Sequence, residues 1–401
     1  MKILMLTPYL PYPPSSGGQV RSYNLIKNLS KKHEITLFSL IKTDNEKKYV
    51  SELEKYCKKV RIFKRPEKPW TLKNILRTGF GLYPFLVIRN LSDEEKTAVA
   101  EELTKEKFDL IHAENFYAMP HIPNTTVPIL LTEQTIFYAV YKRFVESLSW
   151  YLFWLKPALM IDVLKLKYWE TYYWKKANLL VDVSEEDNFQ IKKQVPNKRV
   201  YIVPNGVDFE YYSKPQYPKN SQPTVLFGAA DFHWMENKEG AKVLIEEIWP
   251  EIKKHVANAK LWIVGKIAPQ ALSVYVGQKD IVIQEINDSR EAYQRSWVLV
   301  APLRSRGGSR TKFFEAMASG LPIVTTSMGI EGIRVNDSQQ IMIANDRNQM
   351  IAKAISVLED KKLAKNIGQQ ARDLVSDDYD WKKCALLLDK VYQEVENESK
   401  N

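Results

Sequence analysis

The feature that most constrains this chain is an alternation of short apolar runs with longer amphipathic stretches, sustained along nearly all of its 401 residues. KILMLTP (2–8), HEITLFSL (33–40), DLIHAEN (109–115), PILLTEQ (128–134), ANLLVDVS (177–184) and RVYIVPN (199–205) have the length and content of buried strands. Helical patterns lie between them, such as GQVRSYNLIKNLSKK (18–32) and SDEEKTAVAEELTKE (92–106); the latter opens on Ser92 with Glu95 at capping-box spacing. Strand and helix in repeated alternation predict a parallel sheet with helices packed on it. The segment 208–223, DFEYYSKPQYPKNSQP, has no apolar period and reads as a linker. A second series then begins, with TVLFGAA (224–230), KLWIVGK (260–266), DIVIQEI (280–286), WVLVAPL (297–303) and PIVTTS (322–327). The expectation is an α/β protein of two doubly wound domains, 1–207 and 208–375. A final stretch, 376–401, reads as an amphipathic helix returning to the N-terminal domain. Ligands in open α/β sheets bind beyond the C-terminal ends of the strands, so the chemistry is sought there.

Composition narrows the classes. Cys57 and Cys384 lie far apart with no CxxC spacing, which argues against a disulfide framework or a zinc site and fits a reducing cytosol. His33, His112, His121, His233 and His255 are scattered without metal-ligand spacing, and no metal is expected. The opening MKILMLTPYLPYPP is too short in its apolar part for a signal peptide and reads as a first strand. The most apolar later stretch, Leu148–Leu166, is interrupted by Lys156, Pro157 and Asp162, and is not expected to span a membrane. A net charge of +10 suits an anionic membrane face and phosphate-bearing ligands. No nucleic-acid-binding signature is present. RIFKRPEKPWTLKNILR (61–77) mixes basic and apolar residues and reads either as a membrane-surface segment or as a solvated loop with an edge helix. The aromatic stretch Trp150–Trp174 reads as helix core or interdomain packing.

The strongest chemical signal is APLRSRGGSRTKFFEAMASGLPIVTT (301–326). A buried strand feeds a loop with Gly307 and Gly308, and a helix begins near Ser309–Thr311. Glycines permit close backbone approach to a ligand, and free N–H groups at a helix start attract phosphate. Arg310 and Lys312 add charge, and Glu315, one turn further in, is suited to accept ribose hydroxyls. A second anion-friendly helix start lies at PYPPSSGGQVRSYNLI (11–26), with Gly17, Gly18 and Arg21. VPNGVD (203–208) carries the turn pair Asn205-Gly206.

Together these segments resemble glycosyltransferase family 4, the retaining GT-B enzymes. The diglycine loop matches Gly17-Gly18 with Arg21, and ANLLVDVSEED resembles the family's Asp…Ser strand end. The PNGVD turn stands at 204–208. A W-x-x-N-x-x-G pattern matches Trp234, Asn237 and Gly240, followed by the IVG strand end at Gly265. RGGSRTKFFEAMASGLPIV (306–324) resembles a subgroup's donor motif. Three positions depart from the pattern. Gly307 stands where the first Glu of a Glu-x7-Glu pair is usual, Ala229 where a phosphate-binding Arg is, and Gln134 where a cleft His is.

The resemblance implies two Rossmann-like domains facing each other across a cleft, a nucleotide-diphosphate sugar as donor, and a glycan or lipid-linked acceptor. No cofactor and no metal are implied. Gln134, Glu133, Arg310 and Lys312 are the expected catalytic residues. Gly17, Gly18, Gly307–Lys312, Glu315 and Lys266 are expected on the donor, and Arg21, His112 and Glu114 on the acceptor side. His112 and Glu114 also admit a structural role. The implied chemistry is front-face transfer with retention, in cell-surface glycan or glycolipid synthesis, in the cytoplasm or on the inner membrane face. Two competitors are a nucleotide-sugar epimerase of the same fold and a degenerate, non-catalytic nucleotide-sugar-binding subunit. Asp378-Tyr379-Asp380 reads as a helix cap and not as a metal motif.

Overall fold

The computed structural model describes residues 1–66, 68–304 and 311–398. The chain divides into two compact units, one of Met1–Pro204 with the chain from Ala385 onward, the other of Asn205–Cys384.

The first unit is built on a seven-stranded parallel sheet of order β3-β2-β1-β4-β5-β6-β7. Its strands are β1 (Lys2–Thr7), β2 (Glu34–Ile41), β3 (Lys59–Lys64), β4 (Leu110–Glu114), β5 (Ile129–Thr132), β6 (Leu179–Asp182) and β7 (Val200–Ile202). The helices used below are α1 (Gly17–Leu29), α2 (Leu72–Phe80), α3 (Asp93–Lys105), α4 (Phe137–Glu146), α5 (Lys156–Lys176) and α6 (Glu185–Gln194). β1, β4, β5 and β6 are buried along almost their whole length, because helices cover both faces of a parallel sheet. Ser92 caps α3, its Oγ accepting from the Glu95 N–H. Ser184 caps α6 in the same way, accepting from Asp187.

β3 was not among the expected strands. It is an edge strand whose pattern is half-exposed, so its apolar signal is diluted by Lys59, Arg61 and Lys64, charges that suit an unpaired edge. The segment read as a membrane-surface stretch or a loop is therefore, in its first part, a strand.

The second unit repeats the plan with a six-stranded parallel sheet of order β10-β9-β8-β11-β12-β13. Its strands are β8 (Thr224–Asp231), β9 (Lys260–Lys266), β10 (Ile281–Gln284), β11 (Val298–Ala301), β12 (Ile323–Thr325) and β13 (Met342–Ile343). The helices that matter are α7 (Met235–Val243), α8 (Ser289–Arg295) and α9 (Thr311–Ala318). A helix Phe209–Ser213, capped by the Asp208 carboxylate, stands in the segment read as a linker. It packs Phe209 and Tyr212 on the core, so a stretch without apolar period is nonetheless anchored.

The last helix, α10 (Trp381–Glu398), begins after Asp380, whose carboxylate accepts from the Lys382 N–H. Asp380 is a cap, as expected. From Ala385 on, α10 belongs to the first unit. Asp389 pairs there with His33 (2.8 Å) and Lys32 (2.7 Å).

Candidate functional site

In each sheet the strand order reverses beside the first strand of the unit, between β1 and β4 and between β8 and β11. Loops leaving the C-terminal ends of those strands diverge there and make the natural ligand crevice of the fold.

In the first unit, β1 leads through Tyr9 to Ser16 and then α1, whose first two residues are Gly17 and Gly18. Gly18 is required by close approach: a Cβ there would lie 2.2 Å from the Tyr9 hydroxyl and 2.8 Å from Gln134 Oε1. Tyr9 donates to Gln134 Oε1 (3.2 Å), and Gln134 Nε2 donates to Glu114 Oε2 (2.5 Å). The Gln134 backbone N–H is held by Asn115 Oδ1 at 3.3 Å. Gln134 is thus fixed at both ends of its amide beside the diglycine helix start. Tyr9 and Asn115 were missed from the sequence. Neither lies in a motif, although Asn115, with φ of 67°, is the type of residue that tolerates a positive φ after a strand.

The other expected residues of this unit lie deeper. Arg21 is fully buried, its guanidinium donating to the Pro204 carbonyl at 2.9 Å. His112 is also fully buried between the Tyr392 hydroxyl (2.7 Å) and Thr132 Oγ1 (2.8 Å). Burial pushes its imidazole down to about 3, so it is a neutral packing group. Glu114 is buried as well, and burial raises its carboxyl while the Arg21 charge pulls it back. Arg21, His112 and Glu114, expected on the acceptor side, are therefore all fully buried. Glu133 does not join Gln134: it accepts from the Trp174 indole at 3.0 Å and is buried near Glu170. Burial and the Glu170 carboxylate raise it well above the usual range. Successive residues leaving a strand face opposite ways, and Glu133 takes the helix side.

In the second unit the crevice gathers the end of β8, the end of β9 and the first turn of α9. Lys312 is buried, its ammonium 2.9 Å from Asn237 Oδ1 of α7 and 5.2 Å from the centre of the Phe227 ring. Asn237 Nδ2 in turn donates to the Asp231 carbonyl (2.9 Å). Gly240, one turn along α7, sits where a Cβ would come within 3.0 Å of Leu303 and 3.3 Å of Phe227. The Trp-x-x-Asn-x-x-Gly spacing is thereby explained: Asn237 braces the lysine and Gly240 lets α7 lie close on the sheet, while Trp234 stays 55% exposed.

Glu315 is engaged. Tyr293 of α8 donates to its Oε2 at 2.9 Å and accepts from the Ala229 N–H at 3.1 Å. The register shift in β8 between Phe227 and Ala230 turns that N–H toward α8. Burial raises the Glu315 carboxyl, with the Tyr293 and Tyr212 hydroxyls opposing. Tyr293 and Tyr212 were not foreseen, because they come from elements remote in sequence. Lys266 ends β9 exposed. Nearby, His233 binds the Asp231 carboxylate through its ring (2.6 Å) and its N–H (2.9 Å). Burial works against that carboxylate's charge, but the His233 bonds hold it below its ordinary range. Gly307, Gly308, Ser309 and Arg310 lie outside the described residues. Among the described residues no group of three or more His, Cys, Asp or Glu is placed to hold a metal ion.

Two Rossmann-like parallel sheets, with a diglycine helix start in one unit and a lysine-bearing helix start in the other, define the GT-B class of glycosyltransferases. The chain belongs to the family 4, group 1 glycosyltransferases: the model described as Glycosyltransferase Family 4 matches residues 15–211, and that described as Glycosyl transferases group 1 matches 222–360. A relative from Klebsiella pneumoniae, "Uncharacterized 44.6 kDa protein in cps region", is 21% identical over 400 residues, covering 95% of this chain and 97% of its own. Among solved structures, sucrose-phosphate synthase from Thermosynechococcus elongatus superposes with a TM-score of 0.67 at 14% identity, over 99% of this chain and 100% of that one. Anabaena HepE in complex with UDP-glucose gives 0.63 at 13% identity, over 98% of this chain and 100% of that one. At these identities the structural likeness is one of fold.

Proposed function

We propose that this glycosyltransferase takes a sugar from a nucleotide-diphosphate sugar and passes it, with retention and without a metal, to a saccharide or lipid-linked acceptor in cell-surface glycan synthesis. It would work in the cytoplasm, at the inner membrane face. The observation that carries this reading is the buried Lys312 on the first turn of α9, braced by Asn237, with Glu315 one turn deeper. A fixed cation at a helix start is suited to the charge that builds on a departing diphosphate. A carboxylate one turn further in suits nucleoside hydroxyls. HepE was solved with UDP-glucose, and the Klebsiella relative is named for a cps region, both in keeping with this reading.

In the proposed step the bond from the anomeric carbon to the diphosphate breaks while a bond to the acceptor oxygen forms on the same face. The acceptor's proton passes to a phosphate oxygen. The protein's part is to hold the partners and stabilise the leaving charge, which requires no protein nucleophile. Gln134, fixed by Tyr9 and Glu114 beside Gly18, is assigned to the sugar. Arg310 and Lys266 are assigned to the diphosphate with Lys312.

The test is release of nucleoside diphosphate and growth of an acceptor in the presence of EDTA, with the anomeric configuration of the product read by NMR. Inversion would refute the mechanism, and loss of activity in EDTA would refute metal independence. Tight nucleotide binding without transfer to any acceptor would favour the non-catalytic subunit.

A further inference from the structure

An amphipathic helix ordinarily turns its apolar stripe to the core. α2 does the reverse. Leu72, Ile75, Leu76 and Phe80 recur at helical spacing and are 72%, 48%, 47% and 90% exposed, while Asn74 is buried. The helix is held to its unit largely by polar ties: Lys165 of α5 donates to the carbonyls of Thr78 (2.6 Å) and Gly81 (2.7 Å), and the Trp169 indole donates to Leu82 (3.0 Å). α5, which buries Val163, Leu166, Tyr173 and Trp174, is apolar on its outer side as well. Ile161, Leu164, Tyr168 and Tyr172, at three- and four-residue intervals, are all exposed. The 3-10 segment Trp150–Leu155 that leads into α5 leaves Trp150, Phe153 and Trp154 83%, 67% and 64% exposed. Of the stretch Trp150–Trp174, expected to be core or interdomain packing, Tyr173 and Trp174 are in the core, whereas these aromatics lie exposed. Folding has left uncovered a patch far more apolar than isolated surface residues would make.

The charge that α2 and the outer side of α5 bring to this face has one sign, and the exposed Glu146 next to it is paired with Lys142 at 3.7 Å. α2 carries Lys73 and Arg77 and no acid. The acids of α5 are turned inward: Asp162 accepts from the Phe85 N–H, and the buried Glu170 accepts from the N–H groups of Phe137 and Tyr138. Lys167, Lys175 and Lys176 of the same helix are exposed. The centre of a protein–protein interface is poor in lysine. The headgroup layer of an anionic bilayer, by contrast, takes Trp and Tyr at its boundary and lysine beside phosphate. Among the described residues no helix is long and apolar enough to cross a membrane.

We propose that α2, the segment Trp150–Leu155 and the outer side of α5 seat together in the headgroup layer of an anionic lipid bilayer. This deepens the reading of a transferase working at a membrane face and names the surface that touches it.

The experiment is co-sedimentation of the full chain with vesicles of phosphatidylcholine alone and of phosphatidylcholine with phosphatidylglycerol, followed by quenching of tryptophan fluorescence with brominated lipid. Binding to the anionic vesicles, weakened by salt, with quenched tryptophans, is expected. The triple variant Trp150→Ser, Phe153→Ser, Trp154→Ser should bind them roughly tenfold more weakly or worse, because it removes large apolar surface from the contact. The double variant Lys73→Gln, Arg77→Gln should bind more weakly and with a shallower salt dependence. Nucleotide binding and thermal unfolding should be unchanged in both variants, so failure here is separable from failure of the proposed transfer. The assignment is overturned if the parent ignores both vesicles, if the triple variant binds like the parent, or if the parent is a dimer that the triple variant dissolves. The last outcome would give the face to a second copy of the chain.

Discussion

Lys312 is held in a way that suits the task proposed for it. Its ammonium lies 5.2 and 5.5 Å from the centres of the Phe227 and Phe313 rings and is oriented by Asn237. Lys312→Met keeps most of that volume and removes the charge. Diphosphate binding should weaken by ~1.5–3 kcal/mol, the range for a hydrogen bond to a charged group, as read by titration calorimetry; binding equal to the parent would put the diphosphate elsewhere. Gly18 is prepared differently, by absence. In Gly18→Ala the new Cβ must displace Tyr9 and Gln134, which sit within 2.8 Å of it. We expect ~1–3 kcal/mol of lost stability from overpacking and a clear loss of transfer, measured by urea unfolding and by turnover. His112 makes a pH prediction. Its imidazole is pushed down to about 3 by burial, so the folded state binds fewer protons than the unfolded state. Its contribution is whole above the ordinary histidine value near ~6.5 and drains as pH falls from there toward 3, by at most ~1.4 kcal/mol per pH unit. Urea unfolding of His112→Asn across that window should show a shallower slope than the parent; identical slopes would mean that His112 is charged in the fold.

At the scale of elements, the tie between α2 and α5 invites a direct measurement. Lys165 is the main donor to the carbonyls that close α2. Lys165→Met should therefore raise amide exchange in residues 72–82 while leaving the sheet strands as protected as before, because those strands draw on the core and not on this lysine. Uniform loss of protection would show instead that α2 is integral to the fold. The elements also explain what the sequence could and could not reveal about the secondary structure. Strands such as β1, β4 and β9 were legible because burial on both faces demands an unbroken apolar run. β3 was not, because an edge strand is half exposed and charged. The two-residue β13 is too short to leave a pattern at all.

For the molecule as a whole, binding a nucleotide to the folded state alone must raise its stability. A nucleoside diphosphate at a hundred times its dissociation constant should add ~2.7 kcal/mol, seen as a higher melting temperature that EDTA does not alter. UDP, GDP, ADP and CMP tested in turn would identify the base, and a shift abolished by EDTA would contradict the metal-free proposal. By itself the sequence determined the class of the molecule: two successive strand–helix series, a diglycine start, a lysine-bearing start and a PNGVD turn, all signals that are local and periodic. Only the tertiary structure decided which of the singled-out side chains are buried and which partners hold them. Burial, and the partners that satisfy a buried polar group, come from elements far apart in the chain: Tyr392 on His112, Trp174 on Glu133, Tyr293 on Glu315, Asn237 on Lys312. The same physics decided the apolar surface of α2 and α5. Helical spacing sets which residues share a face, but whether that face meets the core or the solvent depends on what the rest of the chain packs against it.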